Sequence, residues 1–257
     1  MIHSTAVIDP SARLGVDVSV GPYAIVEAGV EIGDGSILAS HAVVRAGTSM
    51  GAGCRVDSFA VLGGEPNFIG FDPKTASGLK IGDRCTFREG VTVHRSIHAY
   101  QTTRVGDDCF FMAGSHIGHD CQVGDRIVLA NQAALAGHVT MGNDSFFGGG
   151  AMIHQFSRVG DGAMVAGLSR ITRDVAPFIM IGERDEVAGL NLIGLRRRKA
   201  STGAIRELKT LFQAILRSPG KPVELAAALP SPSSSEGKTF IEFFVPSKRG
   251  YAKSVVS

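Results

Sequence analysis

The chain has 257 residues, enough for one large domain or two modest ones. Its 26 Lys and Arg nearly balance its 24 Asp and Glu, so the formal charge of +2 gives no general attraction to nucleic acid or to a membrane. The first residues lack the basic start and apolar run of a secretory signal, and no apolar stretch approaches the roughly 18 residues that span a bilayer. We therefore expect a cytoplasmic protein with no stable membrane insertion.

Apolar residues recur at every sixth position over most of the chain. Glycine, with 33 residues, is about twice as common as in an average protein, and it follows many of these positions. A six-residue period fits neither an α-helix nor a simple hairpin, but it is typical of hexapeptide solenoids. The apolar positions form three series in steps of six, Ile8 to Leu62, Ile81 to Val93 and Val105 to Ile171.

This period predicts an all-β solenoid, a parallel β-helix of hexapeptide repeats. Each hexapeptide makes one short strand and one bend, so three of them close a triangular coil of about eighteen residues. The apolar residue points into the prism, and successive coils pair as parallel strands about 4.8 Å apart. An apolar core should therefore run along the axis of the coil.

Two interruptions and a change of pattern divide the chain. The hexads are broken at 64–80 and 94–104, which we interpret as loops that project from a corner and build a site. Residues 1–190 are predicted to form the β-helix, and 191–257 a mainly helical C-terminal domain. Ser201 to Arg217 has the apolar spacing and the polar ends of an amphipathic helix. Phe240 to Phe244 fits either a helix or a strand.

The repeat also predicts where the cysteines lie. Each lies four residues after an apolar position, in a slot that elsewhere holds residues such as Val91 and Ala133. We interpret them as unpaired core residues, which suits a reducing compartment, and not as nucleophiles or metal ligands. They are Cys54, Cys85, Cys109 and Cys121.

Charge is distributed unevenly between the two predicted parts. Residues 195–257 contain twelve Lys and Arg against four Asp and Glu, a net charge of +8, which leaves −6 for residues 1–194. The basic run from Arg196 to Lys199 is the most pronounced charge cluster. It fits either a solvent-exposed segment before a helix or a binding site for phosphates or an acidic partner protein. Nucleic acid is disfavoured because no aromatic residues are interleaved with the run.

Three histidines converge when the chain is folded at eighteen residues per coil. His119, His138 and His154 fall within one residue of the same corner in three successive coils. They could form no more than an exposed stack, but Asp120 follows His119 directly and His116 precedes it by three residues. A histidine with a neighbouring carboxylate has the near-neutral pKa and the orienting partner that a general base needs.

These residues lie in strings that closely resemble the UDP-N-acetylglucosamine 3-O-acyltransferases. The specific strings are His-Ile-Gly-His-Asp at 116–120 and His-Gln-Phe at 154–156, supported by 135–139 and 191–198, and the resemblance covers almost the whole chain. It implies a left-handed coil and a homotrimer. It also implies transfer of an R-3-hydroxyacyl chain from acyl carrier protein to UDP-N-acetylglucosamine in lipid A biosynthesis.

The resemblance assigns roles to individual residues. His119 matches the general base, Asp120 the carboxylate that orients it, and the backbone N–H near Gly137 the group that holds the oxyanion. Gly167 matches the position that limits acyl length. The positions that contact the nucleotide sugar or line the site match His116, His138, His154, Gln155, Asn191, Arg197 and Arg198. No metal or other cofactor is implied, and the basic C-terminal part would receive the acidic carrier protein.

The sequence departs from the family pattern where the nucleotide sugar is held. Phe68 and Gly70 stand where the family has an acidic residue and a lysine, and Lys74 is a candidate replacement for that lysine. Ile193 stands where the family commonly has Glu. These departures leave open a 3-amino sugar nucleotide as the acceptor, which would give an amide product.

Two other classes of function also stay open. His116, His119 and His138 could hold zinc as in the γ-class carbonic anhydrases, although the ligand spacing does not match. The solenoid could also be a scaffold without chemistry, although a bare scaffold needs neither the clustered polar residues nor two insertions at a corner.

Overall fold

The computed structural model describes residues 1–253, so the last four residues of the predicted C-terminal domain lie outside the described residues. Across this range, 27 short strands are followed by four helices. Most strands have two residues, and partners in successive coils are eighteen residues apart, as in the parallel pairs Val7 with Ile25 and Val128 with Phe146. The parallel hexapeptide coil predicted from the sequence is confirmed.

The first sheet has a largely apolar outer face. In each strand one side chain points into the prism and its neighbour points outward, and the outward residues include Val7, Ile25 and Met152, which are 61%, 38% and 49% exposed. The strands are β1 (Val7–Ile8), β4 (Ile25–Val26), β7 (Val43–Val44), β10 (Val61–Gly64), β13 (Thr92–His94), β16 (His116–Ile117), β19 (Ala134–Leu135), β22 (Met152–Ile153) and β25 (Arg170–Ile171).

The second sheet has a polar outer face, with outward residues such as Arg13, Glu31 and Gln122. The strands are β2 (Arg13–Leu14), β5 (Glu31–Ile32), β8 (Thr48–Met50), β11 (Gly78–Ile81), β14 (Thr102–Val105), β17 (Gln122–Val123), β20 (Thr140–Met141) and β23 (Arg158–Val159).

The third sheet has a partly apolar outer face, where Ile37, Phe146 and Met164 are exposed beside polar residues such as Arg55. Its last pair is antiparallel and closes the end of the coil. The strands are β3 (Ser19–Val20), β6 (Ile37–Leu38), β9 (Arg55–Val56), β12 (Thr86–Phe87), β15 (Phe110–Phe111), β18 (Val128–Leu129), β21 (Phe146–Phe147), β24 (Met164–Val165), β26 (Ile179–Ile181) and β27 (Val187–Leu190).

The core runs down the inside of the prism. The inward residues of successive coils, such as Phe87, Phe111 and Phe147, are fully buried. The cysteines are free and at most 1% exposed, and their thiols donate to backbone carbonyls of the next coil, as from Cys121 to Ala136. The prediction that the cysteines are core residues is confirmed.

Both insertions leave the prism at one corner, between the first and second sheets. The strands extend into the predicted insertions at both ends, so the loops proper are 65–77, between β10 and β11, and 95–101, between β13 and β14. Arg95 ties the second loop to the first by donating to the carbonyl oxygens of Thr75 and Pro73, both at 2.8 Å.

The C-terminal helices pack on the last coils. They are α1 (Leu192–Arg197), α2 (Thr202–Leu216), α3 (Pro222–Ala227) and α4 (Ser235–Glu242). Ser201 caps α2 by accepting from the Ala204 N–H at 3.1 Å, as the polar start of the predicted helix requires. Most of the Phe240–Phe244 segment belongs to α4, so it is a helix and not a strand. No helix within residues 1–253 is long and apolar enough to cross a bilayer.

Candidate active site

The three predicted histidines meet at the corner between the first and second sheets. We call this the histidine corner and define it as residues 118–121, 136–139 and 154–157, the turns that follow β16, β19 and β22. His119, His138 and His154 occupy three successive coils there, as the eighteen-residue period predicts. Both insertion loops leave from the same corner, two coils and one coil before the coil of His119, so they lie beside the histidines.

His119 and Asp120 form a hydrogen-bonded pair. The Nδ1 atom of His119 lies 2.8 Å from Oδ2 of Asp120. An ionised carboxylate only accepts hydrogen bonds, so Nδ1 carries a proton, and in the neutral form of the ring Nε2 is the acceptor. A neutral imidazole held in this tautomer is suited to take a proton from a substrate hydroxyl.

Asp120 is held by several donors besides His119. It accepts from the Ser96 hydroxyl and from the Ile97 N–H at 3.2 Å, and its own N–H donates to Oγ1 of Thr103 at 2.8 Å. Burial raises the pKa of Asp120, but the hydrogen bonds from Ser96 and His119 outweigh it, so the pKa lies below its usual range. The carboxylate is therefore ionised at neutral pH and fixes the imidazole.

Gly137 lies directly beneath the imidazole of His119. A Cβ atom at this position would be 2.4 Å from Cε1 and 2.6 Å from Nε2 of His119, closer than any real contact. Glycine therefore lets the reactive edge of the imidazole lie against the backbone of the next coil.

His138 links the pair to the next coil. Its ring meets that of His119 edge to face at 5.0 Å and stacks on Phe156 at 4.5 Å. Its Nε2 lies 3.9 Å from Oδ2 of Asp120. Burial lowers the pKa of His138 in spite of this carboxylate, so the ring is neutral at neutral pH.

A second pair of histidines lies on the outer face of the first sheet. Nδ1 of His116 hydrogen-bonds Oγ1 of Thr92 at 2.8 Å, and its ring meets that of His94 at 4.7 Å. Burial, then the neighbouring His116 and His119, lowers the pKa of His94 to about 4. Burial also lowers the pKa of His116. Both rings are neutral at neutral pH and can donate or accept a hydrogen bond.

His94, His116 and His119 line one cleft of about 540 Å³, while Asp120 and His138 are not among its lining residues. Its floor is apolar, and its polar groups come from both the first sheet and the histidine corner. Of the residues predicted from the sequence, the cleft brings together His116, His119, Gly137, His154 and Gln155.

The structure does not bring the predicted C-terminal residues to this cleft. Asn191 caps α1, accepting from the Gly194 N–H at 2.9 Å and donating to the Gly162 carbonyl at 3.0 Å. Arg198 forms an ion pair with Asp144 at 3.0 Å. Gly162 and Asp144 lie at the corner between the second and third sheets, so Asn191, Arg198 and the exposed Arg197 are separated from the histidine corner by the second sheet.

Lys74 and Gly167 also lie outside the cleft. Lys74 is exposed in the 65–77 loop, where its N–H donates to Asp72, and it is Asn67 of this loop that lines the cleft. Gly167 is exposed at the third corner, between the third and first sheets. A Cβ atom there would meet the Gly149 carbonyl at 3.2 Å, so little space is left beside it.

Sequence reasoning missed several residues of the site. Ser96 and Ile97, which hold Asp120, lie in the 95–101 loop, and Phe156 stacks on His138. Arg249 reaches back from the C-terminal segment to within 2.6 Å of Nδ1 of His154. The position of Phe156 could have been found from the period, since it follows His138 by eighteen residues.

Comparisons with known proteins identify the family. A family model described as "Udp N-acetylglucosamine O-acyltransferase; Domain 2" matches residues 174–252, and one described as "Bacterial transferase hexapeptide (six repeats)" matches 11–46 and 102–137. The acyl-[acyl-carrier-protein]–UDP-N-acetylglucosamine O-acyltransferase of Thermodesulfovibrio yellowstonii is 38% identical over 98% of this chain and 99% of its own. That of Campylobacter concisus is 37% identical over 97% and 96%.

A solved structure agrees with these sequences. The UDP-N-acetylglucosamine acyltransferase of Campylobacter jejuni superposes with a TM-score of 0.93 at 37% identity, covering 99% of this chain and 100% of that one. The chain belongs to the UDP-N-acetylglucosamine O-acyltransferase family. Membership confirms the family predicted from the motifs and the left-handed β-helix with a small helical C-terminal region. It also makes the chain an enzyme and argues against the scaffold and carbonic-anhydrase alternatives.

Proposed function

We propose that this chain transfers an R-3-hydroxyacyl group from acyl carrier protein to the 3-hydroxyl of UDP-N-acetylglucosamine, a step of lipid A biosynthesis. The names of its relatives support the reaction and both substrates. The observation that carries the proposal is the His119–Asp120 pair at 2.8 Å, with Nε2 of His119 free at a cleft. The proposed cellular location is the cytoplasm.

His119 acts as the general base. Its Nε2 takes the proton of the sugar 3-hydroxyl while that oxygen attacks the thioester carbonyl carbon, and a tetrahedral intermediate forms. As the C–S bond breaks, the imidazolium returns the proton to the departing thiolate. Asp120 stabilises the imidazolium, because it is ionised and accepts from Nδ1. The thioester is already activated, so the reaction needs neither a covalent enzyme intermediate nor a cofactor besides the loaded carrier protein.

The Gly137 backbone is proposed to hold the oxyanion. Its backbone lies against the imidazole of His119, so an N–H of this turn is the proposed donor to the carbonyl oxygen of the thioester. His116, His138, His154 and Gln155 would then bind the sugar nucleotide along the corner. The neutral state of His116 and His138 suits them to hydrogen-bond sugar hydroxyls.

A homotrimer is proposed because the single chain leaves two apolar faces and a divided site. The outer faces of the first and third sheets expose residues such as Met152 and Met164, and exposed apolar patches of this kind mark interfaces. Packing the first face of one copy on the third face of the next closes a ring. Such packing would bring Asn191, Arg197 and Arg198 of one copy toward the histidine corner of its neighbour.

The basic C-terminal part is proposed to bind the carrier protein. Residues 195–257 carry a net charge of +8, and Arg196 and Arg197 lie in the last turn of α1, where the helix dipole favours cations. An acidic carrier protein would be attracted to this surface, and salt would weaken the encounter because the Debye length is about 8 Å at physiological ionic strength. Gly167 is proposed to set the acyl length.

A product assay tests this function. The purified chain is incubated with R-3-hydroxyacyl carrier proteins of several lengths and an equimolar mixture of UDP-N-acetylglucosamine and its 3-amino analogue, and products are measured by mass spectrometry. We expect an ester of UDP-N-acetylglucosamine as the main product. An amide as the main product would show that the changes at Phe68, Gly70 and Ile193 have altered the acceptor, and no acylated sugar would contradict the proposal.

A further inference from the structure

The strongest unassigned feature is a group of metal-ligating side chains beside the catalytic pair. One ligand atom from each of His98, Asp120 and His138 lies within 4.8 Å of the other two. The rings of His98 and His138 are 5.8 Å apart, and Nε2 of His138 is 3.9 Å from Oδ2 of Asp120. We propose that these three residues form an inhibitory site for zinc or a similar divalent transition-metal ion.

The donor set fits such an ion. Two imidazoles and one carboxylate suit zinc, which takes three protein ligands and leaves a fourth position for water. Ligand atoms in a tetrahedral zinc site are roughly 3.3–3.5 Å apart, since each lies about 2.0–2.2 Å from the metal. The present spacing, within 4.8 Å, is wider by as much as about 1.5 Å, so the side chains must close around the ion.

His98 is the residue that can make this movement. It is exposed in the middle of the 95–101 loop, while the backbone around it is fixed, because its N–H donates to the Ser96 hydroxyl and its carbonyl accepts from the Gln101 N–H. Its imidazole has one partner in the described residues, the ring of His138. A rotation of this side chain therefore changes the donor spacing without disturbing the loop.

A bound ion would stop the reaction through Asp120. The carboxylate that accepts the Nδ1 proton of His119 would instead donate electron density to the metal, and the positive charge would oppose formation of the imidazolium 2.8 Å away. His98 itself takes no part in the proposed acyl transfer, so removal of its side chain separates inhibition from catalysis. Inhibition rests on the proposed function, but binding of the metal does not.

The test uses the purified chain and Zn²⁺ alone, with His98→Gln as the variant and His3→Gln, another exposed histidine, as the matched control. Calorimetry should give one Zn²⁺ per chain for the wild type and for His3→Gln. His98→Gln should weaken binding by about tenfold or more, because loss of even an outer partner of a metal ligand costs that much. Co²⁺ substitution should give the visible absorption of a tetrahedral site, absent in His98→Gln.

Inhibition is measured in the acyl-transfer assay with the same proteins. In His98→Gln, the Zn²⁺ concentration that gives half inhibition should rise by about the same factor as the dissociation constant measured by calorimetry. With a chelator present, His98→Gln and the wild type should have equal activity. The proposal is overturned if the wild type binds no Zn²⁺ in calorimetry, or if His98→Gln binds and is inhibited like the wild type. If no acyl transfer is found at all, the proposed function fails, while calorimetry and the Co²⁺ spectrum still decide the metal site.

Discussion

At the scale of single residues, the site depends on how Asp120 is surrounded. Its two oxygens accept from Ser96, Ile97 and His119, and these bonds keep it ionised although it is largely buried. A carboxylate that accepts this many hydrogen bonds is fixed in position as well as in charge. His119 therefore has one tautomer and one orientation before substrate binds.

Removal of the proposed base gives the first prediction. His119→Ala should lower kcat by about 10² to 10⁴, the usual cost of losing a positioned general base. Asp120→Asn should lower kcat less, because the orientation of the imidazole is weakened while the proposed base remains. His138→Ala and His154→Ala should mainly raise the KM of the sugar nucleotide. Steady-state kinetics with His3→Ala as the control measure these effects. A His119→Ala enzyme with more than about a tenth of wild-type kcat would assign the base to another residue.

The burial of His94 gives a prediction about pH and stability. Its pKa is about 4 in the folded chain against an ordinary value of 6.5, so the unfolded chain binds more protons between these values. The contribution of His94 to the unfolding free energy is fully present above pH 6.5 and is lost as the pH falls toward 4. Between these limits the loss in unfolding free energy is on the order of 3 kcal/mol.

Urea unfolding at several pH values and one protein concentration tests this. His94→Phe keeps a ring of similar size but has no titrating group, so its unfolding free energy should fall less than that of the wild type over the same pH range. Equal pH dependence of the two proteins would mean that His94 is not responsible.

At the scale of elements, the turns position side chains of the candidate site. Asp120, His138 and Phe156 hold the same place in successive turns, with φ of 59°, 60° and 65°. This left-handed conformation is one that residues other than glycine rarely adopt. Its repetition aims the three side chains into a single column beside the cleft.

Gly137 supplies the prediction at this scale. In Gly137→Ala the new methyl group would lie 2.4 Å from Cε1 of His119, so the imidazole must move. A shift of the base of about 1 Å can cost roughly 10² in rate, and we expect kcat to fall by that factor. Gly149→Ala, whose Cβ meets only the Asn131 carbonyl at 3.4 Å, is the matched control. Equal kcat values for the two variants, with both folded by circular dichroism, would contradict the packing of His119 on Gly137.

The fold and part of the site could be predicted because the coil repeats. A period of eighteen residues is enough to bring His119, His138 and His154 to one corner. The period does not hold across the insertions, where Thr92 pairs with His116 at a spacing of twenty-four, so it could not place Ser96 or His98 near Asp120. Arg249 meets His154 across 95 residues, and no repeat relates these two positions.

Another regular feature is visible only in the structure. At the corner between the second and third sheets, an Asp or Asn side chain accepts a hydrogen bond from the backbone of the preceding coil. The Asp107 N–H donates to Asp125 at 2.9 Å, and the Asp125 N–H donates to Asn143 at 2.8 Å. The sequence contains the repeated Gly-Asp pairs that make this ladder. Their partners, one coil away, could be identified only once the register of the coils was known.

At the scale of the whole molecule, the described chain carries the predicted site residues at two different corners. His119 faces the cleft beside the first sheet, and Arg198 pairs with Asp144 beyond the second sheet. A chain acting alone could not use both on one substrate. We therefore expect a homotrimer by sedimentation at micromolar concentration, with His119 and Arg198 acting from different copies.

Subunit mixing tests this central claim most directly. His119→Ala and Arg198→Ala should each be nearly inactive as homotrimers. The two variants are coexpressed in equal amounts with different tags and isolated as random mixtures. They should regain about a quarter of wild-type activity. About a quarter of the sites then combine an intact His119 from one copy with an intact Arg198 from its neighbour. An activity no greater than the mean of the two parents in a sample shown to contain mixed trimers would contradict a site shared between copies.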